Sequence, residues 1–235
     1  AFQHESIAEL VQVIRTLPIQ LTAVTIPHKQ TVMPLLDEIS DDAQAIGAVN
    51  TIINREGKLH GFNTDITGIA ASLTGVELKG KNALLIGAGG VAQPIAYHLS
   101  KSGASMFCMN RERPLAEALC AKFGGTVIEK DALTGVSFDV IVNATPVGSK
   151  PDVDACPIPT EIIKNGSVVF DVIYAPLETK LLRDAKARGA RAISGLTMFI
   201  AQALEQERLW LGREIPDRGQ RNRRAEYGVP SGRLH

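Results

Sequence analysis

Residues 82–86, Asn-Ala-Leu-Leu-Ile, run straight into Gly87-Ala88-Gly89-Gly90-Val91-Ala92 and then into a helical pattern over residues 91–100. Strand, glycine turn and helix in that order constrain the fold more than any other stretch of the chain. In such a turn the first glycine takes the sharp bend and the second lets backbone approach a pyrophosphate, while a small residue at Ala92 lets helix and strand pack closely. Free N–H groups and the dipole at the start of the helix favour an anion there. The alternation continues, with strands predicted at 105–109, 126–128, 138–142, 168–173 and 191–193 and helices at 114–123, 178–188 and 196–211. Strands alternating with helices pair in parallel and are covered on both faces. The expected class is α/β, a Rossmann-type doubly wound parallel sheet plus a smaller α/β substrate domain made from discontinuous segments.

That smaller unit is read from the first part of the chain. Ile7, Leu10, Val11 and Ile14 recur at helical spacing, so residues 6–17 are predicted as an amphipathic helix feeding a strand at 21–26. Pro27 is expected to open another helix, with Val32, Leu35 and Leu36 as its apolar set and Pro34 tolerated in its first turns. Residues 49–54 and 59–63 read as strands around a hairpin turn at Arg55-Glu56-Gly57-Lys58, and Thr64 or Asp65 could cap the helix that follows. Lys79-Gly80-Lys81 marks a shift in composition. The expected organisation is a first substrate-binding and catalytic segment at 1–79, a dinucleotide-binding domain at 80–194, a helix at 195–212 returning to the first segment, and a flexible tail at 213–235, which is rich in Arg, Gly and Pro without apolar periodicity.

Charge and cysteine usage narrow the partners. Among 235 residues, 25 Lys and Arg balance 25 Asp and Glu, so no net field draws the chain to nucleic acid or an anionic membrane, and a small-molecule partner is expected. Cys108, Cys120 and Cys156 are odd in number and lack metal-ligand spacing, which fits reduced thiols in a cytoplasm and no metal, with two of the three packed in cores. The first residues carry no secretory pattern, and no apolar stretch approaches the ~20 residues of a membrane helix. A monomer or homodimer is expected.

The end of the second strand of a dinucleotide-binding sheet decides between cofactors, because an acid there binds ribose hydroxyls whereas cations tolerate an added phosphate. This chain has Asn110-Arg111-Glu112-Arg113. Arg111 can offer a bidentate fork or stack on adenine and Arg113 can assist, which favours NADP, while Glu112 keeps NAD as an alternative. Asn143, Ala144, Thr145 and Pro146 follow a later apolar strand and should therefore line the carboxyl edge of the sheet, where dinucleotides bind.

Lys29, Asn50 and Asp65 come from three separate polar motifs upstream. Taken singly they read as a surface lysine, a turn residue and a helix cap. Taken in order, VTIPHK, GAVNT, NTD, GAGGVA, NATPVG, DVIYAP and GLTMFIAQAL resemble the shikimate dehydrogenase family across residues 21–210. The resemblance implies NADP-linked, reversible reduction of 3-dehydroshikimate to shikimate, a cyclohexene carboxylic acid. It implies Lys29 and Asp65 as the catalytic pair, and Thr25, Asn50, Tyr174 and Gln202 as substrate contacts. It further implies Val172, Gly195 and Met198 beside the cofactor, Met198 near the nicotinamide. The family's Ser-x-Ser-Pro segment, whose hydroxyls hold the substrate carboxylate, has no counterpart in this chain. The expectation is either an incomplete chain or another anchor for the acid. Ala23, Ala175, Ser149 and Leu115 also depart from the family's usual residues. Two rival readings follow, a quinate-acting relative using NAD and a homologue that binds ligand without turnover.

Overall fold

The structure, a computed structural model, describes residues 6–25 and 27–213. Most of the expected tail, residues 214–235, lies outside the described residues, as does Ile26 of the predicted first strand. Helix α1 (Ile7–Thr16) starts where Ser6 Oγ accepts from the Glu9 N–H at 3.3 Å, and it buries Val11 and Ile14. Strand β1 (Leu21–Ala23) follows and is shorter than its apolar pattern implied.

The helix expected from Pro27 does not form. Residues 27–32 are turns, and a single 3-10 turn spans Met33–Leu35, with Leu35 N–H on Val32 O at 3.0 Å and Leu36 N–H on Met33 O at 3.2 Å. Pro34 has no N–H to give the carbonyl four residues back, so the α-ladder stops where a longer helix would need to continue. Two elements then appear that periodicity missed. Strand β2 (Glu38–Ile39) is too short for a pattern, and helix α2 (Asp41–Ile46) has only punctuation as its signal. Ser40 Oγ caps it from Ala43 N–H at 3.4 Å, two aspartates occupy its first turn, and Gly47 closes it at φ 72°.

Strands β3 (Thr51–Arg55) and β4 (Lys58–Phe62) form the predicted hairpin. Glu56 and Gly57 both take positive φ, 56° and 86°, the handedness that matches strand twist, and Asn54 Oδ1 accepts the Gly57 N–H at 2.8 Å. The small sheet has order β1-β3-β4-β2, with β1 antiparallel to β3 and β2 parallel to β4. Helix α3 (Asp65–Ser72) leaves it.

The rest follows the predicted alternation: β5 (Asn82–Ile86), α4 (Ala92–Lys101), β6 (Ser105–Met109), α5 (Arg113–Phe123), β7 (Thr126–Val127), β8 (Val140–Asn143), β9 (Val168–Asp171), α6 (Lys180–Ala187), β10 (Arg191–Ser194) and α7 (Gly195–Leu211). The six strands are all parallel in the order β10-β9-β8-β5-β6-β7, a doubly wound sheet whose order reverses between β8 and β5. Side-chain alternation along β5 divides the core. Ala83 and Leu85 join Ile95, Leu99 and Leu119 on one face, while Leu84 and Ile86 join Phe138, Leu181 and Leu182 on the other. Cys108 and Cys120 are buried and Cys156 is partly covered. Burial pushes the Cys108 thiol up to about 12, which suits a packing role.

Helix α3 leads from the small sheet to the large one. Its Ile69, and Leu73 just past its end, join the core on the α4 face of the large sheet, and α7 comes back to lie along it. Gly68 permits that approach, since a Cβ there would sit 2.6 Å from Met198 O and 2.9 Å from Met198 Cγ. We expect Gly68→Val to cost about 1–3 kcal/mol, the usual penalty of overpacking. The check is a urea melt, in which an unchanged midpoint would show that α7 can shift without loss.

Candidate active site

Three pieces of backbone meet around Lys29. Its own carbonyl accepts from Val49 N–H at 2.7 Å, and Val24 N–H donates to Asn50 O at 2.7 Å, so the turn after β1 is stitched to the residues entering β3. At the same open end of the hairpin, where Thr51 pairs with Phe62, Asn63 Oδ1 accepts from Asp65 N–H at 3.1 Å and Asn63 Nδ2 donates to Ala48 O at 2.9 Å. Thr64 stands at the N-cap position of α3, but its side chain does not cap the helix. Its hydroxyl is engaged elsewhere.

The result is a tight polar cluster. Lys29 Nζ lies 2.7 Å from Asp65 Oδ2, with 17% and 10% of the two side chains exposed. Asn50 Nδ2 donates to Asp65 Oδ1 at 2.9 Å and to Thr64 Oγ1 at 3.1 Å, while Asn50 Oδ1 accepts from Thr64 N–H at 2.8 Å and Thr51 Oγ1 at 2.7 Å. Both carboxylate oxygens of Asp65 thus hold a donor, and each still has a lone pair to offer. An ammonium fixed in this way can give a proton to an oxygen in the adjoining space, and the carboxylate can accept from a neighbouring hydroxyl. Gln202, from α7, reaches the same cluster through Thr64 Oγ1 at 3.4 Å. Lys29, Asn50, Asp65 and Gln202 are therefore brought together. Thr25 is exposed, its carbonyl accepting from His28 N–H at 2.9 Å at the start of the turn that carries Lys29. Tyr174 stacks on Phe199 with centroids 4.7 Å apart, each ring about half exposed.

The glycine loop occupies the carboxyl edge of the large sheet. Gly87 turns at φ 102° and faces Ala144 and Thr145 so closely that a Cβ would sit 2.9 Å from Thr145 Cγ2. Around Gly89 and Gly90 a Cβ would meet nothing within 4 Å and no side chain caps α4, so the loop is open where the helix begins, while Ala92 behind it is buried with its N–H on Gly89 O at 3.0 Å. This is the geometry a pyrophosphate needs. Asn110 steadies the loop, accepting from Ala88 N–H at 3.2 Å and donating to Glu112 O at 2.8 Å. Arg111 is 94% exposed, its guanidinium no closer than 4.0 Å to Glu112, and is open to a phosphate. Arg113 is not: it is spent on Glu117 at 2.7 Å and on Glu129.

Asn143 is spent too. Its amide donates to Asp171 Oδ1 at 3.0 Å and Val147 O at 3.2 Å, and its oxygen accepts from the Thr145 hydroxyl at 2.7 Å. Asp171, fully buried, also accepts from Thr179 Oγ1 at 2.6 Å and Ile173 N–H at 3.1 Å, and burial raises its carboxyl above the usual range. These two side chains shape the loop through Ala144, Thr145 and Pro146. Val172 then passes against Gly195, where a Cβ would lie 2.1 Å from Val172 O. Met198, one turn further along α7, is buried on Gly68, itself one turn from Asp65. The carboxyl edge of the large sheet and the Lys29–Asp65 pair are joined through this contact. A separate cavity of about 370 Å³ opens at the opposite edge of the sheet, lined by Lys81, Asp139, Lys164 and Arg191.

Sequence comparison agrees with this geometry. The family described as "Shikimate dehydrogenase substrate binding domain" matches residues 1–52, and that described as "Shikimate / quinate 5-dehydrogenase" matches residues 69–153. An NADP(+) shikimate dehydrogenase of Pyrococcus abyssi is 40% identical over 215 residues, covering 90% of this chain and 80% of that protein. Among solved structures, shikimate dehydrogenase from Aquifex aeolicus superposes with a TM-score of 0.84 at 37% identity, covering 92% of this chain and 80% of that one. Shikimate 5-dehydrogenase from Thermus thermophilus, in complex with NADP(H) and shikimate, superposes with a TM-score of 0.82 at 36% identity, covering 90% and 80%.

Proposed function

The chain belongs to the shikimate dehydrogenase family, and from that premise we propose that Lys29 and Asp65 handle the proton in reversible conversion of 3-dehydroshikimate to shikimate. The enzyme is an NADP-dependent oxidoreductase. One observation carries the assignment of roles: the 2.7 Å ion pair between Lys29 and Asp65, largely covered yet joined through α7 to the glycine-loop edge.

NADP(H), when bound, would supply hydride to the ketone or take it from the alcohol. The oxygen of a ketone gaining hydride develops negative charge, which the Lys29 ammonium stabilises and then neutralises with a proton. In the reverse direction the neutral amine takes the hydroxyl proton. Asp65 holds the ammonium in line through Oδ2 and accepts a hydrogen bond from an adjacent substrate hydroxyl. Asn50 and Gln202 contact further hydroxyls, with Thr25 and Tyr174 at the rim. Residues 1–79 with the helix at 195–212 form the substrate half and residues 80–194 the cofactor half, so the reacting atoms meet between them. Residues 87–92 would carry the pyrophosphate and Arg111 the ribose phosphate, with Asn110, Asn143, Ala144, Thr145, Pro146, Val172, Gly195 and Met198 shaping the cofactor's bed. Arg113 adds charge there only after leaving Glu117 and Glu129. Among the described residues no helix is long and apolar enough to cross a membrane. The free thiols favour a cytoplasmic setting.

Formation of NADPH from NADP+ and shikimate, followed by its ultraviolet absorbance, tests the reading. Turnover with shikimate well above that with quinate is expected, and tight shikimate binding without reduction of the cofactor would refute it. Arg111→Ala should raise the KM for NADP+ about 10–100-fold, the worth of a charged hydrogen bond, and leave that for NAD+ nearly unchanged. Equal effects on the two cofactors would remove Arg111 from the phosphate site.

A further inference from the structure

Gln206 lies one turn beyond Gln202 on α7, and neither the motifs nor the mechanism uses it. Its amide nitrogen donates to Thr51 Oγ1 at 3.1 Å and to Gln202 Oε1 at 3.1 Å. Both protons of the NH₂ group are thereby committed, and both acceptors belong to the polar cluster. Thr51 is fully buried; accepting from Gln206, it passes its own proton to Asn50 Oδ1 at 2.7 Å. That bond, with Thr64 N–H on the same oxygen at 2.8 Å, fixes which end of the Asn50 amide is oxygen, so its nitrogen must face Asp65 Oδ1 at 2.9 Å. The other arm fixes Gln202. With Oε1 held by Gln206 and Thr64, its nitrogen takes the outer position, spending one proton on Phe199 O at 3.1 Å and leaving one for a ligand oxygen.

We propose that Gln206 is a positioning residue that sets the hydrogen-bond polarity of both Asn50 and Gln202, so that one side chain on α7 prepares the carboxylate arm and the hydroxyl-recognition arm together. This rests on the dehydrogenase reading for its catalytic consequence, but not for its geometry. An oxygen in place of the Gln206 nitrogen would turn the Thr51 hydroxyl away from Asn50 and repel Gln202 Oε1. Donors aligned head to tail in a buried network strengthen one another, so the break is felt at Asp65.

Two replacements of similar length separate polarity from packing. Gln206→Glu, which when ionised only accepts, should lower kcat/KM for shikimate about 10–100-fold, and Gln206→Met, which neither donates nor repels, by less than about tenfold. The KM for NADP+ should not change in either. Combining Gln206→Met with Thr51→Val should cost no more than the worse single change, because the two act through one chain. Equal losses in the Glu and Met variants, or additive losses in the double variant, would overturn the proposal. Wild-type turnover in the same assay keeps the two claims apart: its absence would remove the dehydrogenase reading, while normal turnover with unaffected variants would remove only the role of Gln206. Hydrogen exchange of the Asn50 side-chain amide in the unliganded protein needs no activity at all. It should quicken about tenfold or more in Gln206→Glu as the cluster opens locally, and an unchanged rate would overturn the proposal.

Discussion

Lys29→Ala is expected to lower kcat for shikimate oxidation about 10²–10⁴-fold, the usual worth of a general acid or base, with little change in the KM for shikimate. The asymmetry follows from when the interaction is made. A ground-state hydroxyl gains one ordinary hydrogen bond from this side chain, whereas an oxygen carrying developing charge gains a charged partner and a proton route. Lys29→Arg sharpens the test. A guanidinium keeps the charge beside Asp65 but does not release a proton near neutral pH, so turnover should stay low. Recovery with Arg would mean that the position supplies charge alone. Near-normal turnover in the Ala variant would remove Lys29 from the chemistry.

Asp65→Asn should be nearly as damaging to turnover, about 10²-fold or more, and should also weaken the fold. The replacement keeps the shape while removing the charge that holds the Lys29 ammonium, which is only 17% exposed. It also sets an amide against Asn50 Nδ2, so either that donor or the lysine loses its acceptor. A lost hydrogen bond to a charged group costs about 2 kcal/mol, which for a chain of this size lowers the melting temperature by about 4–8 °C. Loss of activity with an unchanged melting point would mean that Lys29 finds another partner. Retained activity would show that the carboxylate is not needed to hold the base.

Both variants act on residues whose motifs are separated by tens of positions, and the sequence signals that led to them differ in strength for physical reasons. The β5–loop–α4 unit was fully legible because an apolar strand, glycines and a helix repeat a local rule that tertiary context does not override. The same holds for α7. The turn after β1 was not legible, because Val32, Leu35 and Leu36 match a helical period while Pro34 interrupts the hydrogen bonds that a helix needs. Helix α2 was carried by Ser40 and Gly47, which are capping signals that apolar periodicity ignores. At the carboxyl edge of the large sheet, residue type does not reveal availability: the side chains of Asn143 and Arg113 are already engaged, on Asp171 and Glu117. Gln206 was invisible for a further reason. Its partner Thr51 is 155 positions away, and only the return of α7 brings them into contact.

The structure of the chain with NADP+ and shikimate bound is the most direct measurement. The reacting hydroxyl oxygen is predicted within about 3.2 Å of Lys29 Nζ, with the carbon that bears it turned toward the nicotinamide. Shikimate seated with that oxygen away from both Lys29 and Asp65 would contradict the central claim.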